Sequence, residues 1–277
     1  MLSKVRVYND YDEYIEFHVG YPPSGYGFLL TSADGLGPVK AELNYGLYSL
    51  IPGGSYRGST TGIRNINLSV DLLPNYANGE TPETLRRLLN KFMAPEKFVR
   101  LYIYQDGLWT LWIHGYVEDN VPTIFTQTPG ASLTVVCMEP SLKSRETKYV
   151  DARSSQNISI EHLGDVEHGF QMTVEMTPTS NMQWFSIQNT TTGDGVTLYR
   201  PGTGQGEIFQ INTLKGSKQF DVVNSAGTVQ ENVIGFVEVT NEWPYLLDGH
   251  NNLRLDLAVG GTGAQVRVAY RDYYSGI

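Results

Sequence analysis

Five histidines, one cysteine and 29 acidic residues are the side chains of this 277-residue chain best suited to chemistry. Their spacing argues against it. His18, His114, His162, His168 and His250 lie far apart, and no two have the helical or hairpin separation that would bring them onto one metal ion. His162 and His168 flank Asp165 and Glu167, which reads as a solvated loop. Asp10, Asp12 and Glu13 are crowded, but they lack the regular alternation and downstream bidentate glutamate of a calcium loop, so a polar turn is expected. Cys137 sits in the apolar run Leu133-Thr134-Val135-Val136-Cys137-Met138, which predicts a buried, unreactive thiol, and as the single cysteine it can form no intramolecular disulfide. Gly202-Thr203-Gly204-Gln205-Gly206 has the look of a dinucleotide loop, yet the strand-like Glu207-Ile208-Phe209-Gln210-Ile211 follows where a helix is required, so it predicts a turn. No nucleophile elbow is present, and nothing singles out two of the acids for glycoside hydrolysis. The expectation is a protein without catalytic residues, cofactor or metal. Trp184, Tyr199 and Trp243 are a separate case: they either pack into a core or form a platform for sugar rings.

Charge narrows the class of partner. Lys and Arg total 20, and the formal net charge is −9. Residues 1–145 hold 12 basic and 14 acidic side chains, the remainder 8 and 15, so the second half carries most of the excess. A surface of that sign repels phosphate backbones, which excludes ordinary duplex binding but allows a negatively lined passage to pass DNA without holding it. The first residues, Met1-Leu2-Ser3-Lys4-Val5-Arg6, lack the apolar core of a signal peptide, and no run has the length to span a bilayer, so a soluble protein made in the cytosol is expected. The sequons at Asn67, Asn157 and Asn189 then have no bearing on glycosylation.

The elements that would position these residues are short strands punctuated by glycine, with one helix among them. Thr81 can cap that helix and Pro82 suits its first position. Leu85, Leu88, Leu89 and Phe92 form one apolar stripe, Arg86, Arg87 and Lys91 lie off it, and Pro95 ends the helix. Such a stripe must be buried against the neighbouring strands. Strands are expected at 5–8, 14–19, 27–30, 66–72, 98–104, 108–117 and 133–138, with Asp106-Gly107 turning a hairpin. Between Ala33 and Arg64, seven glycines and the tyrosines Tyr45, Tyr48 and Tyr56 describe an arm. It is either a mobile loop or a β-hairpin ordered against a neighbouring subunit. Residues 141–157 read as a linker. Beyond them, strands at 170–176, 184–189, 197–199, 207–212, 219–223, 253–259 and 265–270 recur at the spacing of an antiparallel sandwich.

The order of elements, from Arg64–Leu72 through the helix Pro82–Met93 and the hairpin Phe98–Val117 to the strand ending at Pro140, resembles the amino-terminal domain of distal tail proteins of long-tailed bacteriophages. The second half adds Ile158-Ser159-Ile160-Glu161-His162-Leu163-Gly164-Asp165, similar to that family's entry into a galectin-like sandwich. It also adds Leu247-Asp248-Gly249-His250-Asn251, similar to the turn before its last hairpin. The resemblance implies a mainly β protein: a barrel or split barrel with one helix over 1–145, then a galectin-like antiparallel β-sandwich over 146–277. It also implies a structural virion component at the distal end of the tail. Six copies would form a ring that joins the tail tube protein to the hub or tip protein, carries receptor-binding or side-fibre proteins, and passes DNA through its lumen. Tyr45, Tyr48, Tyr56, Arg86, Arg87 and Lys91 are then the expected subunit contacts. The alternative is a carbohydrate- or receptor-binding tail protein that uses Trp184, Tyr199 and Trp243.

Overall fold

The computed structural model describes residues 1–48, 52–105, 110–123, 128–153, 156–177, 182–203, 206–259 and 263–277. It is mainly β, with 60% of the chain in strands. The chain divides into two compact units, Met1–Arg145 together with Tyr274–Ile277, and Glu146–Tyr273.

The first unit contains β1 (Leu2–Tyr8), β2 (Tyr14–Val19), β3 (Gly27–Asp34), β4 (Ala41–Leu47), β5 (Gly54–Thr61), β6 (Arg64–Leu73), α1 (Pro82–Met93), β7 (Phe98–Gln105), β8 (Thr110–Thr123), β9 (Gly130–Cys137) and β10 (Leu142–Ser144). The 14-residue β8 pairs with β7 along its first half and with β9 along its second, bending at a register shift between Val117 and Asp119. The order β8-β7-β1-β2-β3-β6-β9 therefore returns to β8 and closes a seven-stranded barrel. Alternation fills it: Ile66, Leu68, Val70 and Leu72 of β6 point inward with Val5, Val7, Phe17, Leu101, Ile113 and Val135, while the intervening residues face out. The Asp106-Gly107 turn between β7 and β8 lies outside the described residues.

Helix α1 closes over this core. Thr81 Oγ1 accepts the Thr84 N–H at 3.4 Å, Thr84 Oγ1 accepts the Thr81 N–H at 3.0 Å, and Pro82 occupies the first turn. Leu85, Leu89, Phe92 and Met93 are buried, whereas Leu88, expected on the stripe, is 40% exposed. The helix is rotated so that the contact row runs i, i+4, i+7, i+8, with Met93 buried at the edge opposite Leu88.

One barrel position is filled by a cation. Arg64 is 2% exposed, and its guanidinium donates to four backbone carbonyls: Pro140 at 2.5 Å, Gly35 at 2.6 Å, Gly37 at 2.8 Å and Ser275 at 2.5 Å. Burial lowers its pKa. Gly35 has φ +85°, and a Cβ there would lie 1.9 Å from the Asn65 carbonyl oxygen, so only glycine lets this loop approach β6. Ile277 N–H donates to Leu36 O at 3.1 Å, which fastens the returning tail to the same loop.

The second unit contains β11 (Lys148–Arg153), β12 (Asn157–His162), β13 (Gln171–Met176), β14 (Met182–Asn189), β15 (Asp194–Thr203), β16 (Ile208–Asn212), β17 (Gln219–Val223), β18 (Val229–Asn232), β19 (Val237–Thr240), β20 (Gly249–Val259) and β21 (Ala264–Tyr270). One sheet runs β11-β21-β13-β16-β17-β18 and the other β12-β20-β14-β15-β19. Both contribute to a single core that includes Ile160, Val174, Phe185, Leu198, Phe209, Phe220, Leu253 and Val268. Two expectations fail here. The stretch read as a linker holds β10 and β11, with Leu142 fully buried; three-residue β10 is too short to show a period, and β11 alternates between exposed and half-buried positions. The last two long strands do not form a hairpin, because β20 and β21 belong to different sheets. The Gly249-His250-Asn251 spacing has a mechanical basis. Buried Asn251 accepts the Leu247 N–H at 2.9 Å and donates to the carbonyls of Leu247 at 2.8 Å and Gly249 at 3.1 Å, and Asn189 Nδ2 donates to Asn251 Oδ1 at 3.1 Å.

Candidate functional site

The chemistry-bearing residues are dispersed. Among the described residues no group of three or more His, Cys, Asp or Glu could hold a metal ion. His162 is fully buried, not part of a solvated loop: it ends β12, whose inward positions are Ile158, Ile160 and His162 itself. Its Nε2 accepts the Tyr273 N–H at 3.4 Å, while His168 stacks on the Tyr273 ring with centroids 3.3 Å apart. Burial lowers the His162 pKa, against an upward pull from Asp272. The Cys137 thiol, register partner of Arg64, is pushed by burial up to about 12 despite the neighbouring cation, which keeps it unreactive. Asn9 builds the acidic turn, its Oδ1 accepting the N–H groups of Tyr11 at 2.9 Å and Glu13 at 3.0 Å. Within that turn Asp12 pairs with Arg100. Gly202 and Thr203 end β15, Gly204 and Gln205 lie outside the described residues, and the strand β16 comes next, so the segment offers no helix N-terminus to an anion.

The glycine-rich arm contains a β-hairpin. Among the described residues β4 and β5 pair only with each other, as a two-stranded sheet of their own. Tyr45 and Tyr56 are register partners, and they, Tyr48, Leu43 and Leu47 are all more than half exposed. A free two-stranded hairpin is marginal in water, and this one carries five large exposed apolar side chains.

The helix cations divide. Arg86 Nη2 donates to Thr123 O at 3.0 Å, and Lys91 lies 2.9 Å from Glu13, so both engage the chain's own barrel. Arg87 is exposed and makes no hydrogen bond to a described residue.

A further surface was not anticipated from the sequence. On the outer barrel face, register aligns Glu16, Arg6, Tyr102, Trp112 and Lys143 across β2, β1, β7, β8 and β10, and beside them Tyr14, Tyr8, Arg100 and His114. Tyr102 and Trp112 stack at 6.0 Å, Tyr8 meets Tyr102 edge-on at 5.1 Å, and the Arg6 guanidinium lies 4.3 Å from the Tyr14 ring centre. Burial alone would raise the Glu16 carboxyl; hydrogen bonds from Lys4 and Arg6 reverse this and bring it down to about 2. Tyr, Trp and Arg are the residues enriched at protein interfaces. The signal lay in Phe98-Val99-Arg100-Leu101-Tyr102-Ile103-Tyr104, where Phe98, Tyr102 and Tyr104 on the outward phase of an alternating strand are aromatic instead of polar.

In the second unit Trp184 and Tyr199 are register partners on β14 and β15, with Tyr199 47% exposed. Trp243 is not beside them. It packs on the core with the Lys218 ammonium 5.6 Å from its ring centre, and the Gly195 N–H bond to Glu242 O puts it near the far end of β15. At a strand rise of about 3.3 Å per residue, Gly195 is roughly 13 Å from Tyr199.

No family model matches the chain, and no curated protein does. Solved structures do. The Dit protein (gp 19.1) of phage SPP1, described as a paradigm of the hub adsorption apparatus in phages infecting Gram-positive hosts, superposes with a TM-score of 0.65 at 13% identity, over 96% of this chain and 98% of that one. The fold is that of a distal tail protein. A chain of the phage P2 baseplate in its activated conformation with Ca aligns over 97% of this chain and 98% of its own at 11% identity, with a TM-score of 0.49. The likeness to the SPP1 protein extends through both units, and at 13% identity it is the architecture that is shared, not the side chains.

Proposed function

We propose that this chain is a structural protein of a phage tail and that its copies join in a ring at the distal end. The carrying observation is the uncovered β4–β5 hairpin, with Tyr45, Tyr48 and Tyr56 exposed, on a chain whose fold matches a Dit protein from end to end. The hairpin finds its cover on the next copy, and Arg87 contributes from the exposed side of α1, with Arg86 and Lys91 steering from its flank. Six barrels would continue the tail tube, and galectin-like sandwiches would project outward. The tail tube protein then lies on one side of the ring and the hub or tip protein on the other, with receptor-binding or side-fibre proteins at the periphery. DNA would cross the lumen, where net negative charge eases transit without retention. This reading assigns the chain no reaction and no cofactor. Light scattering and negative-stain microscopy of the purified chain test it: closed rings support it, and monomers at every concentration up to the solubility limit overturn it.

A second reading, receptor or glycan binding through the second unit, draws on the adjacency of Trp184 and Tyr199 on one sheet face. Loss of glycan binding in a folded Trp184→Ala variant would favour it.

A further inference from the structure

We propose that the outer face of the β11-β21-β13 sheet is a saccharide-binding groove, distinct from the assembly surfaces and from the face that carries Trp184 and Tyr199. A cavity of about 660 Å³ opens there, lined by side chains that include Asp151, Arg153, Thr173, Glu175, Gln265 and Arg267. Its size falls in the range of small-ligand sites, roughly 300 to 1,000 Å³.

Register builds the groove in two rows. Asp151, Arg267 and Thr173 align across β11, β21 and β13, and one step along the strands Arg153, Gln265 and Glu175 align likewise. In the first row Arg267 Nε donates to Asp151 Oδ1 at 2.7 Å and Nη2 to Oδ2 at 3.0 Å, a two-point pair that fixes both planar groups. Thr173, between long neighbours, keeps the floor low. In the second row Arg153, Gln265 and Glu175 are all exposed, and among the described residues none of their side chains has a hydrogen-bond or ion-pair partner. Elsewhere in the second unit, Arg200 pairs with Glu207 and Glu231, and Arg254 with Asp256.

The lining selects the ligand by chemistry. Two guanidinium groups and two carboxylates balance, so neither a polyanion nor a polycation is favoured. Donors and acceptors alternate within a few ångströms on planar groups, which suits vicinal hydroxyls, because each hydroxyl donates once and accepts twice. Tyr149, 63% exposed and 6.0 Å from the Arg267 guanidinium, borders this region and offers an apolar face for sugar C–H groups. A neutral oligosaccharide fits these features.

The test is a glycan array carrying neutral, sialylated and sulfated oligosaccharides, probed with the full chain, with hits titrated by calorimetry. A neutral glycan should bind, Glu175→Gln and Arg267→Ala should each weaken it at least tenfold with an unchanged melting temperature, and Trp184→Ala should leave it intact. Glu175 has no described partner to lose, so its variant remains informative if Arg267→Ala misfolds. Binding to no glycan, binding only to acidic glycans, or loss with Trp184→Ala but not Glu175→Gln overturns the proposal. Ring formation in the same sample reports on the structural reading separately.

Discussion

Lys91, on the last turn of α1, holds its ammonium 2.9 Å from the Glu13 carboxylate in the turn between β1 and β2, so the helix is tied by charge as well as by its apolar row to the barrel it covers. That hydrogen bond keeps the Glu13 carboxyl below its ordinary pKa. The helix cations therefore do not act as a set.

Charge reversal separates their roles. Arg87→Glu should reduce ring yield at fixed protein concentration without moving the melting temperature. Lys91→Glu, which breaks an exposed pair, should shift melting by about 2 °C at most. Light scattering beside differential scanning calorimetry checks both, and equal ring yields for Arg87→Glu and the parent would remove the helix from the interface.

The hairpin makes a larger contribution in this reading. Replacing both Tyr45 and Tyr56 by Ser should abolish rings while leaving the barrel's thermal transition in place, because neither ring contributes to the barrel core. Electron micrographs that still show rings would exclude the hairpin as the contact.

Arg64→Met tests the buried cation. The variant keeps an apolar stem but strands four carbonyls that now accept from the guanidinium. Leaving buried carbonyls without donors costs about 1 to 3 kcal/mol each, so a loss of about 3 kcal/mol or more is expected. For a unit of this size that is a fall of roughly 6 to 12 °C in melting temperature, read by calorimetry. A change within error would show that water replaces the guanidinium freely.

His162 should make the second unit sensitive to mild acid. Its pKa in the folded chain is depressed below the ordinary 6.5, so below that pH the unfolded chain binds a proton that the folded one resists. Stability is then fully present above about pH 6.5 and declines as the pH falls beneath it. Protonation would also set an Nε2–H against the Tyr273 N–H that Nε2 now accepts. Melting curves between pH 7.5 and 5 should show the decline, and His162→Gln should flatten it; an equal slope in that variant would assign the effect elsewhere.

What could be read in advance followed the strength of the local periodicity. Ile66–Leu72 alternates strictly and is a barrel strand, and the Thr81-Pro82 cap with Pro95 bounded the helix at its observed ends. Leu88 misled because a stripe drawn at i, i+3, i+4, i+7 leaves the rotation of a short helix uncertain by one residue, and only packing on the barrel selects Met93. β10 escaped notice because three residues carry no period. Arg64 and Ser275 are 211 positions apart, and no window along the chain relates them. The surfaces suited to assembly divide in the same way: the tyrosines of the arm are conspicuous in sequence, whereas the Arg6, Tyr102 and Trp112 row exists only once β1, β7 and β8 are in register.

The returning tail bears on the order of events at the ribosome. The carbonyl of Ser275 is among the four that Arg64 binds, and the Ile277 N–H closes on Leu36, so the first unit lacks part of its fastening until the second has been translated. A nascent barrel would hold its guanidinium partly unsatisfied while the intervening strands are made, and synthesis through residues 275–277 would act as the latch.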